Sequence, residues 1–171
     1  PTTARPGEGA ALGSLETRSP VYPQPGMKED VPPVTYARAW RAQSRQELLE
    51  GYDGACAQVG PELVMVQELI PGIGNDYAYA ALCHDGRPLV SLTTWRRRQY
   101  PIEFGRASTY VETIELPEVE ESAKRLLWAT HITGLTHVGF KLDSRDGQYK
   151  LLDVNLRAWG SHTLRRQVGL A

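Results

Sequence analysis

Three polar side chains near the C-terminal end are spaced for chemistry: Asp153, Asn155 and Arg157, within Lys150-Leu151-Leu152-Asp153-Val154-Asn155-Leu156-Arg157. On a strand, residues two apart point to the same side. Asp153 and Asn155 then share one face, and Leu152 and Val154 turn toward the core. A carboxylate beside an amide oxygen suits a hard cation such as Mg²⁺, which takes oxygen ligands and shares them with phosphates. Arg157 extends the row with a guanidinium that can stabilise charge on a transferring phosphoryl or acyl-phosphate group. The same row also reads as the polar edge of a strand facing solvent.

A second cationic feature is Trp95-Arg96-Arg97-Arg98-Gln99-Tyr100-Pro101. Arginines grouped in this way bind phosphates or an anionic substrate well, because the guanidinium fork matches their oxygens. Strand alternation puts Arg96 and Arg98 on one side and Arg97 on the other. A run of three arginines is also common on a solvated strand edge.

These side chains need a scaffold, and the sequence supplies signals for one. Ser44-Arg45-Gln46-Glu47 fits a capping box. Leu48, Leu49, Tyr52, Cys56 and Val59 follow at helical spacing and Gly60-Pro61 stops the run. Leu63–Glu68 predicts a short apolar strand, and the glycine-rich Pro71–Asn75 separates it from Tyr77–Cys83. Asp85-Gly86 is a hairpin turn signal, so Tyr77–Cys83 and Pro88–Arg96 are expected to pair. Ser108–Glu115 is rich in β-branched residues. Pro117 opens a second helix with Glu118, Glu120 and Glu121 near the positive end of its dipole. Val119, Ala123, Leu126, Leu127 and Thr130 share its apolar face, and Gly134 is expected to end it. Two strands, Thr136–Leu142 and Gln148–Asn155, and a short helix near Ser161–Val168 complete the chain.

Taken in this order, Gly134–Gly169 resembles the closing segment of ATP-grasp enzymes. That segment is a β-hairpin ending in an acidic residue, one apolar residue, Asn, usually Pro, and Arg. Here it reads Asp153-Val154-Asn155-Leu156-Arg157, with Leu156 where Pro is usual. The resemblance implies that Asp153 and Asn155 are metal ligands and that Arg157 is the catalytic cation. Val66-Gln67-Glu68-Leu69-Ile70-Pro71-Gly72 is similar to the hinge strand that holds adenine in the same family. This likeness implies ATP-binding roles for Gln67, Glu68, Leu69 and Ile70, and a ribose role for Asp76. The arginine segment, with Phe104-Gly105-Arg106-Ala107-Ser108-Thr109, is similar to the subgroup that includes carbamoyl-phosphate synthetases and carboxylate–amine ligases. Arg96 and Arg98 join the ATP-binding set on that basis. The fold class implied is α+β, an ATP-grasp lobe with an antiparallel sheet and flanking helices. The cofactors implied are ATP and Mg²⁺.

Three departures qualify the resemblance. Gln24 stands where a Lys on an early strand usually contacts ATP phosphates. A five-residue turn, Ser144–Gln148, would place Gly139 opposite Asp153, where a Glu or Gln metal ligand is usual. That register pairs Asp143 with Tyr149, about 13 Å along the strand from Asp153, so Asp143 is expected to start the turn. Finally, an ATP-grasp enzyme of this kind has about 300 residues, against 171 here. The chain, which starts at Pro1, is expected to lack an N-terminal domain of its parent.

Composition sets the outer bounds. Residues 1–33 hold seven of the twelve prolines and few large apolar residues, which predicts an irregular arm with an extended piece around Pro20–Pro25. Residues 34–171 are the expected partial ATP-grasp domain. A net charge of −1 gives no reason to propose nucleic acid or a membrane as partner. Cys56 and Cys83 lack metal-ligand spacing, and a reduced, cytoplasmic setting is the plain expectation, with one disulfide left open. The leading reading is part of an ATP-dependent carboxylate–amine ligase working through an acyl-phosphate, inactive alone, with an unidentified carboxylate as substrate. The alternative is a non-catalytic ATP-grasp remnant serving as a binding module. A third reading, an unrelated α+β binding domain, needs hinge and closing motif to coincide in order.

Overall fold

The structure, a computed structural model, describes Thr3–Ala4, Val21–Pro25 and residues 41–61, 64–105 and 107–158. The short helix expected near Ser161–Val168 lies outside the described residues. The chain divides into two compact units, Pro1–Ile70 and Pro71–Ala171.

In the first unit, β1 (Thr3–Ala4), β2 (Val21–Pro25) and β3 (Val64–Glu68) form an antiparallel sheet in the order β1-β3-β2. The proline-rich arm thus supplies both strands that flank β3. Pro23 and Pro25 cannot donate to a ladder on both sides, and β2 is at the edge of the sheet, where strand prolines are tolerated. Helix α1 (Arg45–Val59) starts as the capping signal predicts: the Ser44 hydroxyl accepts from the Glu47 N–H at 3.1 Å. The Glu47 carboxylate reaches back to the Gln43 N–H at 2.8 Å. Leu48 and Ala55 are buried with Tyr52 partly covered, whereas Leu49, expected on that face, is 39% exposed. A helix turns about 100° per residue, so Leu48 and Leu49 cannot both point inward on a narrow stripe.

The second unit is a five-stranded antiparallel sheet in the order β6-β5-β4-β7-β8, packed on one helix. Its strands are β4 (Asp76–His84), β5 (Arg87–Tyr100), β6 (Ala107–Ile114), β7 (Gly134–Asp143) and β8 (Gln148–Asn155). The β4–β5 turn is Asp85-Gly86 with φ of 48° and 72°, the left-handed pair that a two-residue hairpin demands. Both strands run longer than the sequence patterning suggests, and β5 continues through all three arginines. Helix α2 (Pro117–Thr130) buries Val119, Ala123 and Leu127 completely. It ends at His131 in the left-handed conformation rather than at Gly134, which is the first residue of β7. The core beneath α2 holds Tyr77, Tyr79, Ala81 and Cys83 of β4 with Val138 and Phe140 of β7. Tyr77 stacks on Trp95 and meets Tyr149 edge-on. Both cysteines are free thiols. Among the described residues no helix is long and apolar enough to cross a membrane.

Candidate functional site

With one face of the sheet committed to α2, alternate residues must point the other way. Directly paired residues share a side, so the registers give three rows across that second face. One runs Arg96, Asp76, Lys141, Lys150. The next runs Thr94, Ala78, Gly139, Asp153, and the third Leu92, Ala80, His137, Asn155. Small side chains in the middle make a shallow floor, bordered by charged groups.

The β7–β8 hairpin sets this arrangement by two departures from simple pairing that cancel. Its turn has four residues, 144–147, one fewer than expected, and Asp143 pairs with Gln148 rather than Tyr149. Left alone, that shift would turn Asp153 to the other side. A bulge at Leu152 inserts one residue between Leu151, opposite Phe140, and Asp153, opposite Gly139. The Gly139–Asp153 pairing expected from the sequence is therefore present. Val154 does not turn into a core as expected; it is 39% exposed, on the outermost strand.

Gly139 is buried, and a Cβ placed there would collide with Asp153 Oδ1. The Asp153 carboxylate thus leans inward over β7 rather than off the edge. Its Oδ2 accepts from Asn155 Nδ2 at 2.7 Å, and Asn155 Oδ1 accepts from Arg157 Nη2 at 3.3 Å. The three residues picked out by spacing form one hydrogen-bonded chain. Asp153 and Asn155 carry oxygen atoms of the kind a hard cation takes, and Gly139 contributes no side-chain donor. Among the described residues no group of three or more His, Cys, Asp or Glu side chains is placed to hold a metal.

Asp76 is 8% exposed, with Arg96 Nη2 at 3.1 Å and Lys141 Nζ at 4.0 Å from its Oδ1. Its charge is committed to holding two cations on the site face. Arg97 goes the other way: its guanidinium lies over the Trp95 ring and bonds Glu112. A bulge between Arg96 and Arg98 breaks strict alternation, and Arg98 Nε donates to Thr109 Oγ1 at 3.2 Å. An open groove of about 540 Å³ runs beside these arginines, bordered by Ile73, Gly74, Asp76 and Tyr100. The preceding turn is fixed in place, since Trp95 Nε1 donates to the Gly74 carbonyl and Leu142 N–H to that of Asn75.

Lys141 and His137 were not singled out by sequence. Both follow from alternation along β7 once Gly139 is anchored opposite Asp153. Burial pushes the His137 imidazole pKa down, against the opposing pull of the Asp153 carboxylate; Arg96 and Arg157 add to the lowering. Asp143, at the far end of the hairpin, is 2% exposed and bound by Arg145 through its backbone N–H, Nε and Nη2. The Arg145 guanidinium is the main reason its pKa falls to about 2. Asp143 also accepts the Gly147 N–H at its carbonyl, so it starts the turn as expected.

In the first unit, Gln67 and Glu68 end the β3 ladder, opposite Tyr22 and Val21, and Leu69 and Ile70 lie just beyond it. Gln24 is on β2 with Met65 as its partner.

Solved structures resemble this arrangement. The ATP-grasp ligase PsnB, complexed with a minimal precursor, matches 97% of this chain over 50% of its own length, at 19% identity and a TM-score of 0.57. D-alanine–D-alanine ligase from Bacillus anthracis, complexed with ATP, matches 86% of this chain over 45% of its own, at 19% and 0.53. L-amino acid ligase from Bacillus licheniformis matches 91% over 36%, at 19% and 0.55.

The chain has the ATP-grasp fold.

No family model and no curated protein sequence matches it, so the likeness is one of fold. The chain spans half or less of the length of each of these three ligases. The five-stranded sheet carries Asp153 and Asn155 on β8, with Arg157 just beyond it, and β3 leads into Leu69 and Ile70. The departures seen in the sequence persist in the fold: a glycine faces the acidic residue, and a glutamine occupies the early strand.

Proposed function

We propose that this chain is the nucleotide-binding part of an ATP-dependent carboxylate ligase that works through an acyl-phosphate. The observation that carries the reading is the hydrogen-bonded row Asp153–Asn155–Arg157, on the sheet face that also presents Arg96 and Lys141. In the first unit, Gln67–Ile70 would offer main-chain groups to adenine; in the second, Asp76 is the candidate for the ribose hydroxyls. Arg96 and Arg98 neutralise phosphates, and Asp153 and Asn155 hold Mg²⁺. Held by Asp153 and Asn155, such a cation would supply positive charge to offset that of the phosphates. Arg157, oriented by its hydrogen bond to Asn155, would stabilise charge developing on the transferred phosphoryl group.

The test is nucleotide binding by calorimetry and thermal shift. ATP and ADP with Mg²⁺ should raise stability, by about 2.7 kcal/mol at a hundredfold excess over Kd. GTP should do less, because main-chain donors and acceptors read the adenine edge. Absence of adenine-nucleotide binding at millimolar concentration overturns the proposal. A second reading, a non-catalytic module that keeps the fold, is favoured by Gly139 and Gln24. It predicts nucleotide binding without phosphoryl transfer to any carboxylate.

A further inference from the structure

The site face carries an imidazole to which the nucleotide reading gives no role. His137 lies two residues before Gly139 on β7, and its direct partner across the hairpin is Asn155. Facing pairs in an antiparallel ladder have Cβ atoms about 5 Å apart, and diagonal neighbours lie within reach of long side chains. Asp153 is that diagonal neighbour, and its carboxylate leans over Gly139 toward the strand that carries His137. An imidazole nitrogen, a carboxylate and an amide oxygen are thereby collected on one side of a two-stranded hairpin. Gly139, between them, offers no donor and no bulk.

We propose that His137 is a third protein ligand in this site, which with Asp153 and Asn155 takes Mn²⁺ in preference to Mg²⁺. The proposal rests on the reading of Asp153 and Asn155 as metal donors. Mg²⁺ demands oxygen ligands in a near-ideal octahedron and gives up water reluctantly, so an imidazole is a poor substitute for the absent carboxylate. Mn²⁺ lies higher in affinity for nitrogen donors yet keeps the six-coordinate, oxygen-rich geometry that phosphates and water can complete. Among the described residues the other two histidines are elsewhere: His131 bonds Asp85, and His84 adjoins the same β4–β5 turn.

The decisive measurement is pulsed electron paramagnetic resonance of the chain with MnCl₂ and ADP, using protein labelled with ¹⁵N-histidine. Bound Mn²⁺ should show coupling to a histidine ¹⁵N, lost in His137→Gln. The same substitution should cut the preference for Mn²⁺ over Mg²⁺, measured by competition, by at least about tenfold. Mn²⁺ bound with no histidine coupling overturns the proposal while leaving the nucleotide reading intact, as does an unchanged Mn²⁺/Mg²⁺ ratio in a folded His137→Gln protein. Failure to bind either cation or ADP overturns both readings. If His137→Gln does not fold, the isotope signature of the unsubstituted protein decides alone.

Discussion

Two aspartates on one hairpin show how neighbours set the use of a carboxylate. Asp153 is exposed and bonded only sideways to Asn155, so its charge is available to a cation. Asp143 is covered and saturated by Arg145. Asp153→Asn should leave stability within about 0.5 kcal/mol of the parent, as expected for an exposed site. It should sharply weaken divalent-cation binding in the presence of ADP, since a neutral amide cannot hold the ion against phosphate charge. Asp143→Asn should do the reverse, costing about 1–2 kcal/mol of stability with little effect on the cation. The pH dependence has a definite sign. The folded pKa of Asp143, about 2, is below the ordinary 3.8, so its stabilisation is full above about pH 4 and is lost as pH falls toward 2. Acid unfolding monitored by circular dichroism should show that limb in the parent and a flatter one in Asp143→Asn. Nearly equal acid limbs would remove the Asp143–Arg145 pair from the account.

Elements meet at places where a side chain would not fit. The β4–β5 turn docks against the end of α2: Gly86 N–H donates to the Ile132 carbonyl at 2.8 Å, and Asp85 N–H to Thr133 Oγ1 at 2.9 Å. A Cβ on Gly86 would stand 2.5 Å from the Leu127 carbonyl oxygen and 2.8 Å from Trp128 Cα, and its φ is 72°. Gly147, in the β7–β8 turn, has φ of 71° but nothing within 4 Å of such a Cβ. Gly86→Ala should therefore cost about 2–4 kcal/mol, conformational strain plus overpacking. Gly147→Ala should cost about 1 kcal/mol, the conformational part alone. Urea unfolding of the two variants isolates the packing contribution as their difference, provided m is unchanged. Equal losses would mean that the turn does not press on α2.

At the scale of the whole chain, the described residues of the two units differ in how they cluster. Among the described residues, the cluster beneath α2 has nine buried residues and the cluster at α1 has three. Opening free energy follows buried apolar contact. Amide exchange should be slowest in β4, β7 and α2, with α1 and β3 exchanging through a smaller opening. Slower exchange in α1 than in α2 would reverse that ranking. Because the solved ligases extend over at least twice the length matched here, their activities are a proposal for this chain and not a property it shares by fold alone.

The sequence by itself determined the local parts. Ser44 and Glu47 cap α1, Pro117 opens α2, Asp85-Gly86 turns the hairpin, and Asp153, Asn155 and Arg157 lie in one row, because caps, turns and two-residue alternation depend only on near neighbours. It also anticipated Gly139 opposite Asp153, though by way of a turn one residue too long. Only the tertiary structure decided the rest. The Leu152 bulge that restores that pairing, the commitment of Asp76 to Arg96 and Lys141, and the placing of His137 beside Asn155 all depend on strand register. Register is a contact between distant segments, and a shift of one residue reverses every side chain, so no local pattern fixes it.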